Sequence, residues 1–252
     1  MNFAILYSKL DPAGNNIASN IEKFDNSIKI NSINKDLIYE NNIDKKLDGD
    51  FIIFLSKHQS SQNVPCMSVH PIGNWKSADY GGIPGKVCPS SASALKQIFL
   101  ELSKNKYMQV TMEATHHGPF IKKPSFFVEI GSSEKEWKDE KAGQIVAQAI
   151  LNFISSFDKS KDYIPAIGVG GPHYCNNFNK IQQAEKYAIS HIIPSYANPI
   201  TKEMIKEAIA KTAEKTSLVF IDWKAFKSEE RQILIKDIES LGLKWKNASD
   251  QE

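Results

Sequence analysis

Five of the six histidines in this sequence lie just beyond or near the ends of short apolar runs that are typical of β-strands. For example, His58 follows the apolar run 51–55, and His173 follows the run 164–169. Ligands of open α/β sheets bind outside the carboxyl ends of the strands, where loops that are distant in sequence can meet. The spacing therefore predicts that these imidazoles share one site. The five residues are His58, His70, His116, His117 and His173.

Two glutamates lie close to these histidines along the chain. Glu113 stands three residues before His116, and Glu129 lies near the end of the apolar run 126–130. Imidazole with carboxylate suits Zn²⁺, and a catalytic zinc keeps one position open for water. Successive side chains of an extended segment point to opposite faces, so we expect one of His116 and His117 to bind metal and the other to face substrate or to contact a metal ligand from outside. A single loop histidine is more often merely hydrogen-bonded, so the metal prediction depends on the group, which matches no short zinc motif such as HExxH.

The rest of the chain alternates between β-branched or aromatic runs and amphipathic stretches. This pattern predicts an α/β fold in which helices flank a mostly parallel mixed sheet. We expect a single domain over residues 1–252. Strands are predicted at residues 3–7, 28–33, 51–55, 107–112, 126–130, 164–169, 191–194 and 218–221. Helices are predicted at residues 92–103, 134–153, 177–187, 201–212 and 228–241.

Two helix starts carry recognisable capping signals. Ser133 and Glu136 have the spacing of a capping box, which predicts that one helix begins there and continues to residue 153. Ser228 is predicted to cap the last helix, since two glutamates follow it in the first turn. By contrast, residues 56–91 are rich in Gly, Pro and Ser and predict a long irregular loop. Loops of that length inside compact domains are usually functional.

Composition sets the broad class of the protein. The chain has 252 residues, of which 41% are hydrophobic and 24% charged, as in soluble globular proteins. Its apolar runs are far shorter than the ~20 residues of a membrane helix, and the first residues show no secretory signal. Cys66, Cys88 and Cys175 cannot all pair, which favours a reduced, cytoplasmic setting. The formal charge of +2 neither requires nor excludes a nucleic-acid partner. We expect a monomer.

The glycine-rich segments match no nucleotide-binding motif. The third glycine of a GxGxxG pattern that begins at Gly168 would fall on His173. A Walker motif ending at Gly85 and Lys86 would need glycine where Tyr80 stands. Tight turns, which let backbone approach backbone or ligand, are the better interpretation of both segments.

Covalent catalysis is a weaker interpretation than metal catalysis. Cys175 follows His173 by two residues, but neighbours in sequence seldom form a catalytic pair, and buried structural cysteines are common. Ser56 and Ser60 lack the GxSxG elbow of serine hydrolases. We therefore retain the metal site as the working hypothesis.

With these motifs in view, the chain resembles the archaeal and plant D-aminoacyl-tRNA deacylases. The most specific match is the Glu-Ala-Thr-His-His-Gly-Pro run at 113–119. The resemblance implies a phosphorylase/hydrolase-like α/β fold and zinc-dependent hydrolysis of the ester of D-aminoacyl-tRNA, with one or two Zn²⁺ ions. The implied partner is the tRNA acceptor end. The other matching segments are Ser8 after the first strand, 56–58, 69–74 and 170–174.

Roles can be assigned to individual residues from their types and their places near the strand ends. We expect Glu113 or His117 to move the proton. The metal ligands are predicted to be His58, His116, Glu129 and His173.

Further residues are candidates for substrate binding. Lys122 and Lys123 closely follow the histidine pair and are predicted to contact tRNA phosphates, although a lysine pair is usually only a solvated surface feature. Phe120 or Tyr174 could stack on a terminal base, or simply pack the pocket wall. Two glycines, Gly170 and Gly171, are predicted to let the backbone approach the substrate.

Two other functions remain open at the level of sequence. One is a zinc amidohydrolase or peptidase of related fold that cleaves a small amide. The other is a tRNA-binding module without catalysis, which would use the lysines and the glycine-rich loops. Metal analysis separates the binding module from the two enzymes, and an assay on D- and L-aminoacyl-tRNA separates the two enzymes from each other.

Overall fold

The computed structural model describes residues 1–61 and 63–250, in which ten strands form two sheets. The larger sheet has the order β2-β1-β3-β6-β4-β5, and the smaller sheet has the order β10-β9-β7-β8. The pairing of β4 with β6 is antiparallel, and the other pairings between the described strands are parallel. The strands are β1 Phe3–Ser8, β2 Ile30–Ile33, β3 Phe51–Gln59, β4 Cys66–His70, β5 Gln109–Met112, β6 Ser125–Ser132, β7 Ile164–Val169, β8 Tyr187–Ile193, β9 Leu218–Ile221 and β10 Lys244–Asn247.

Seven α-helices cover the sheets in the described part of the chain. The predicted α/β class with a mixed, mostly parallel sheet is confirmed, but the division of the strands between two sheets was not predicted. Among the helices of residues 1–61 and 63–250, none combines the length and apolar character needed to cross a membrane. The helices are α1 Pro12–Phe24, α2 Ala92–Ser103, α3 Glu134–Trp137, α4 Glu140–Ser156, α5 Asn176–Gln183, α6 Lys202–Ala210 and α7 Ser228–Ser240.

Two predicted helix starts need correction, and one helix was missed. The contact between Ser133 and Glu136 forms, but it begins only the short helix α3, because Asp139 accepts N–H bonds from the next turn and starts α4 separately. The prediction of one helix over 134–153 is therefore wrong. Ser228 is the first helical residue of α7, and Lys227 occupies the cap position. Helix α1 was missed, although Asp11 caps it and accepts the N–H of Gly14.

The predicted loop 56–91 contains regular structure at its start. Strand β3 continues to Gln59, and Cys66–His70 forms the central strand β4. All five residues of β4 are buried, including the polar Ser68 and His70. Because both faces are covered and polar groups interrupt the apolar run, β4 shows neither the alternation nor the continuous apolar character by which strands are identified.

Two apolar layers hold the larger sheet. On one face, α1, α2 and α4 pack against side chains such as Ile53 and Phe126, in a cluster that also contains residues of the smaller sheet such as Ile189. On the other face, Phe54 and Phe127 stack with ring centroids 4.8 Å apart under the turns near Leu37. The strands that carry the histidines are therefore fixed from both sides.

Candidate metal centre

The site is built over β6 and its two neighbouring strands. In the sheet register, Glu129 lies between Ser56 of β3 and Ser68 of β4. His58 lies opposite Gly131, where a Cβ atom would come within 2.7 Å of the imidazole Cδ2. Glycine at position 131 thus leaves room for the imidazole of His58 at the end of β3.

The loop that follows β5 brings in the second half of the site. Glu113 comes directly after β5, and its N–H donates to Val69 O at 3.1 Å. A bridge between Ile72 and His116 then holds the histidine pair beside the end of β4. The site thus combines strand ends with one clamped loop, as expected for an α/β fold.

His70, His116 and His117 form an all-imidazole triad. One ring nitrogen from each can be chosen so that the three atoms lie within 4.8 Å of one another. Their Nδ1 atoms lie 3.1, 2.8 and 2.6 Å from the carbonyl oxygens of Pro71, Ala114 and Gly118. A carbonyl can only accept, so each Nδ1 carries the proton and each Nε2 is left free to bind a metal.

The adjacent histidines were expected to point apart, and this expectation is wrong. His117 has a φ of 42°, in the left-handed region, so the chain turns between the two residues. Their ring centroids lie only 4.3 Å apart. Phe127 packs against two rings of this triad: it stacks on His70 and makes a T-shaped contact with His117.

His58, Glu113 and His173 form a second triad with one carboxylate. His58 Nδ1 lies 3.1 Å from Glu113 Oε1, and His173 Nε2 lies 2.7 Å from Glu113 Oε2. Glu113 Oε2 also lies 3.6 Å from Nε2 of His116, so this carboxylate joins the two triads. Tyr174 Oη lies 2.7 Å from His58 Nε2 and thereby fixes the other side of that ring.

The donor set fits a cation. Glu113 is fully buried, and within the described residues neither of its oxygens accepts a hydrogen bond, despite the short contact with His173. Nε2 of His70 is likewise buried without a hydrogen-bond partner in that part of the chain. The imidazole nitrogens lie close to the Glu113 oxygens, but no N–H of the described residues points at these oxygens. This is the arrangement expected of atoms that bind a common ion. A buried carboxylate also needs such compensation, because its desolvation costs several kcal/mol.

The charges of the site favour neutral imidazoles at two members of the first triad, His116 and His117. Burial lowers the pKa of His70, but the carboxylate of Glu129, 3.6 Å away, outweighs this effect and raises that pKa. Burial, together with the nearby charge of His70, lowers the pKa of His117 to about 4 and that of His116 well below its usual value. Both rings are therefore neutral at neutral pH, which is the form that binds zinc.

The carboxylates of the site are ionised. Burial alone would raise the pKa of Glu113, but His173 and His58 outweigh it and hold that pKa well below the usual range. Burial would likewise raise the pKa of Glu129, yet His58 and His70 lower it to about 2. Burial lowers the pKa of His58. Glu113 and Glu129 outweigh this effect and raise the pKa of His58 to about 12. A proton on His58 and a cation bound by Glu113 therefore compete for the same negative charge.

A cavity of about 630 Å³ opens from these groups to the surface. His58, His116, His117, Glu129 and His173 form its inner wall. Asp11 and Asp36 add acidic groups, and Leu10, Tyr39 and Tyr80 stand exposed around its mouth. Burial raises the pKa of Asp11, which accepts the N–H of Lys57 at 3.0 Å.

Among the residues proposed from sequence, the structure brings the whole metal-and-catalysis group together. The four predicted ligands surround the site, Glu113 and His117 belong to the triads, and Tyr174 contacts His58. His70 was seen among the clustered histidines but not chosen as a ligand. Its position within 69–74, one of the segments that resemble the deacylase family, could have indicated that His70 is a ligand.

The other predicted substrate residues are not among the described residues that line the cavity. Lys123 Nζ donates to Leu47 O at 2.8 Å, and the backbone N–H of exposed Lys122 donates to Asp44. Phe120 packs against the apolar cluster on the second face of the sheet. Gly170 and Gly171 pack beside Asp222. A docking role for these residues remains a prediction.

An α/β fold with a buried imidazole–carboxylate cluster at the floor of an open cavity defines a candidate metal-assisted enzyme. Comparison with known proteins specifies the family. The sequence model of the D-aminoacyl-tRNA deacylases matches residues 45–246. A protein of that name from Thermococcus kodakarensis is 37% identical over 227 residues, which cover 86% of this chain and 83% of the relative. The one from Methanocaldococcus jannaschii is 35% identical over 260 residues, which cover 97% and 99%.

The chain belongs to the D-aminoacyl-tRNA deacylase family, which makes it a hydrolase. The resemblance seen in the sequence is thereby confirmed. The fold also agrees with a crystal structure described as a conserved protein of unknown function, with a TM-score of 0.89 and 30% identity. That match covers 98% of this chain and 95% of the other.

Proposed function

We propose that this protein hydrolyses the ester bond of D-aminoacyl-tRNA in a zinc-dependent reaction that releases the free D-amino acid and tRNA. The observation that carries the proposal is the buried carboxylate of Glu113, which joins two imidazole groups without accepting a hydrogen bond within the described residues. The names of the relatives supply the substrate. Charged tRNA is used in translation, so we place the enzyme in the cytoplasm.

Two positions can hold zinc. His70, His116 and His117 offer three Nε2 atoms, a ligand set known from catalytic zinc sites. His58, Glu113 and His173 offer a second set with two imidazoles and one carboxylate. Zinc bound there supplies a Lewis acid that polarises an ester carbonyl and makes water more acidic.

Glu129 is the better placed group for moving a proton. It lines the cavity but stands outside both triads, and Ser56 Oγ donates to its Oε1. Its Oε2 lies 3.6 Å from His58 Nδ1, and this ionised carboxylate faces the cavity, where it can accept a proton from water. We therefore exchange two sequence-based roles: Glu113 becomes a ligand, and Glu129 becomes the general base.

The cavity wall can distinguish the two hands of the amino acid. With the ester at the triads, the α-ammonium group of the substrate faces a wall that carries Asp11, Asp36 and Glu129. Once the ester and the ammonium group are both placed, the side chains of the two enantiomers point in different directions, and in this proposal only the D side chain finds room. Rejection by such a clash suits an enzyme that meets abundant L-aminoacyl-tRNA.

The proposal is tested by metal analysis of the parent protein and of two single variants, His116→Ala and His173→Ala. We expect zinc in the purified parent, its loss from at least one site in each variant, and a near-parental melting curve, because ligands at loop ends contribute little to the core. Variants that retain full zinc and full activity would exclude these residues as ligands. Hydrolysis of small amides in place of the tRNA ester would instead favour an amidohydrolase, and tRNA binding without turnover would favour a binding module.

A further inference from the structure

Two tyrosines stand exposed at the mouth of the cavity. Tyr39 and Tyr80 are 55% and 69% exposed, and both line the cavity that is also lined by His58, His116, His117 and His173. Within the described residues, neither hydroxyl makes a hydrogen bond. The hydroxyls of Tyr107 and Tyr174, by contrast, contact Asp139 and His58. Tyr39 and Tyr80 therefore present exposed aromatic rings to the cavity, and their hydroxyls are not hydrogen-bonded to any of the described residues.

The backbone around these two tyrosines is tightly fixed. Tyr80 O accepts the N–H of Gly118 at 3.0 Å. At Gly81, which has a φ of 74°, a Cβ atom would lie 1.8 Å from Ile38 O and 3.3 Å from Cδ1 of Tyr39. The turn Leu37–Tyr39 and the loop that carries Tyr80 thus pack backbone to backbone, next to the residue that follows His117. The two rim segments thus pack against each other and against the residue that follows His117.

We propose that Tyr39 and Tyr80 form a stacking platform for the terminal base of the tRNA acceptor end. This inference rests on the proposed function, since it takes the ester to be bound at the triads. The alcohol side of that ester is the ribose of the last nucleotide, so its base is the next group outward from the buried wall. Aromatic side chains bind bases through their π-faces whatever the rest of the tRNA sequence.

The platform replaces the residues that the sequence had indicated for stacking. Phe120 packs against an apolar cluster, and Tyr174 uses its hydroxyl to hold His58. The inner wall of the cavity, where the amino acid must lie, is instead polar, with four imidazoles and the carboxylate of Glu129. The aromatic rim thus matches the aromatic part of the substrate, and the polar inner wall matches its ester and ammonium groups.

The experiment compares Tyr39→Ala/Tyr80→Ala with the parent on three esters of D-tyrosine. The esters are D-tyrosyl-tRNA, D-tyrosyl-adenosine and D-tyrosine methyl ester. We expect kcat/KM of the variant to fall about 10- to 100-fold on the two esters that carry the base. The rate on the methyl ester should not change. Tyr39→Phe/Tyr80→Phe should behave like the parent, because phenylalanine retains the stacking face, and Tyr107→Ala serves as the control for loss of an exposed tyrosine elsewhere.

A binding measurement tests the platform without hydrolysis. Uncharged tRNA and the same tRNA without its last nucleotide are titrated with the parent and with the double alanine variant. If the last base stacks on these tyrosines, removal of the nucleotide weakens binding to the parent but not to the variant. The two changes, one in the tRNA and one in the protein, are compared as in a double-mutant cycle. Equal weakening in both proteins, or an equal loss of rate on the methyl ester, would overturn the inference. A parent that shows the binding difference but does not cleave D-aminoacyl-tRNA would refute the proposed function and leave the platform standing.

Discussion

Replacement of Glu113 by glutamine removes one negative charge from the centre of the site and leaves its shape almost unchanged. Glu113 Oε1 lies 3.1 Å from His58 Nδ1, and Glu129 Oε2 lies 3.6 Å from the same atom. At an effective dielectric constant of about 20, charges at these two distances attract by about 5 kcal/mol each. The change Glu113→Gln therefore removes about half of the carboxylate attraction that acts on a cation at this position.

The expected result is loss of metal and activity while the fold is retained. Replacing a group that only orients a metal ligand typically lowers affinity by about 10- to 100-fold, and a residue that contributes to both triads should cost more. Zinc content after dialysis and single-turnover release from D-tyrosyl-tRNA measure the two effects. Glu134→Gln is the matched control, because its carboxylate is exposed and, within residues 1–61 and 63–250, pairs only with Lys138. A Glu113→Gln protein with full zinc and parental turnover would refute the assignment of Glu113 as a ligand.

Three further predictions concern other parts of the protein. Glu129→Gln should keep its zinc but turn over more slowly, and loss of zinc would return Glu129 to the ligands. Burial lowers the pKa of His191 to about 3, below its unfolded value of about 6.5. Its stabilising contribution is complete above pH 6.5 and declines as the pH falls toward 3. Urea unfolding at several pH values should therefore show a weaker acid dependence for His191→Asn, and an unchanged dependence would contradict this. Neutralising Lys122 and Lys123 should flatten the salt dependence of substrate binding, whereas an unchanged slope would remove them from the docking surface.

The gathering of the histidines was predictable because it follows from the topology of the fold. Parallel strands direct the loops at their carboxyl ends to one edge, so His58, His116 and His173 could be grouped without knowledge of strand order. The orientation of the rings was not predictable. It depends on the positive φ of His117 and on carbonyl partners that only the folded chain supplies.

Other features were hidden because they depend on long-range contacts. Strand β4 has no period that sequence analysis can detect, so His70 was placed in a loop. Lys123 follows the histidine pair closely in sequence, yet it is bound to Leu47. Tyr39 and Tyr80 lie on a short turn and a loop, where nothing in the sequence indicates exposure or a common position.

Zinc dependence and selectivity for the D-amino acid are tested together by one paired measurement. Zinc-loaded protein is mixed in excess with D-tyrosyl-tRNA or L-tyrosyl-tRNA, and single-turnover release is followed before and after removal of zinc by a chelator. We predict rapid release of D-tyrosine, little release of L-tyrosine, and loss of the D-specific rate on chelation that returns with added zinc. Equal rates on both enantiomers would contradict selectivity for the D-amino acid, and a full rate on the D-substrate in the metal-free protein would contradict zinc dependence.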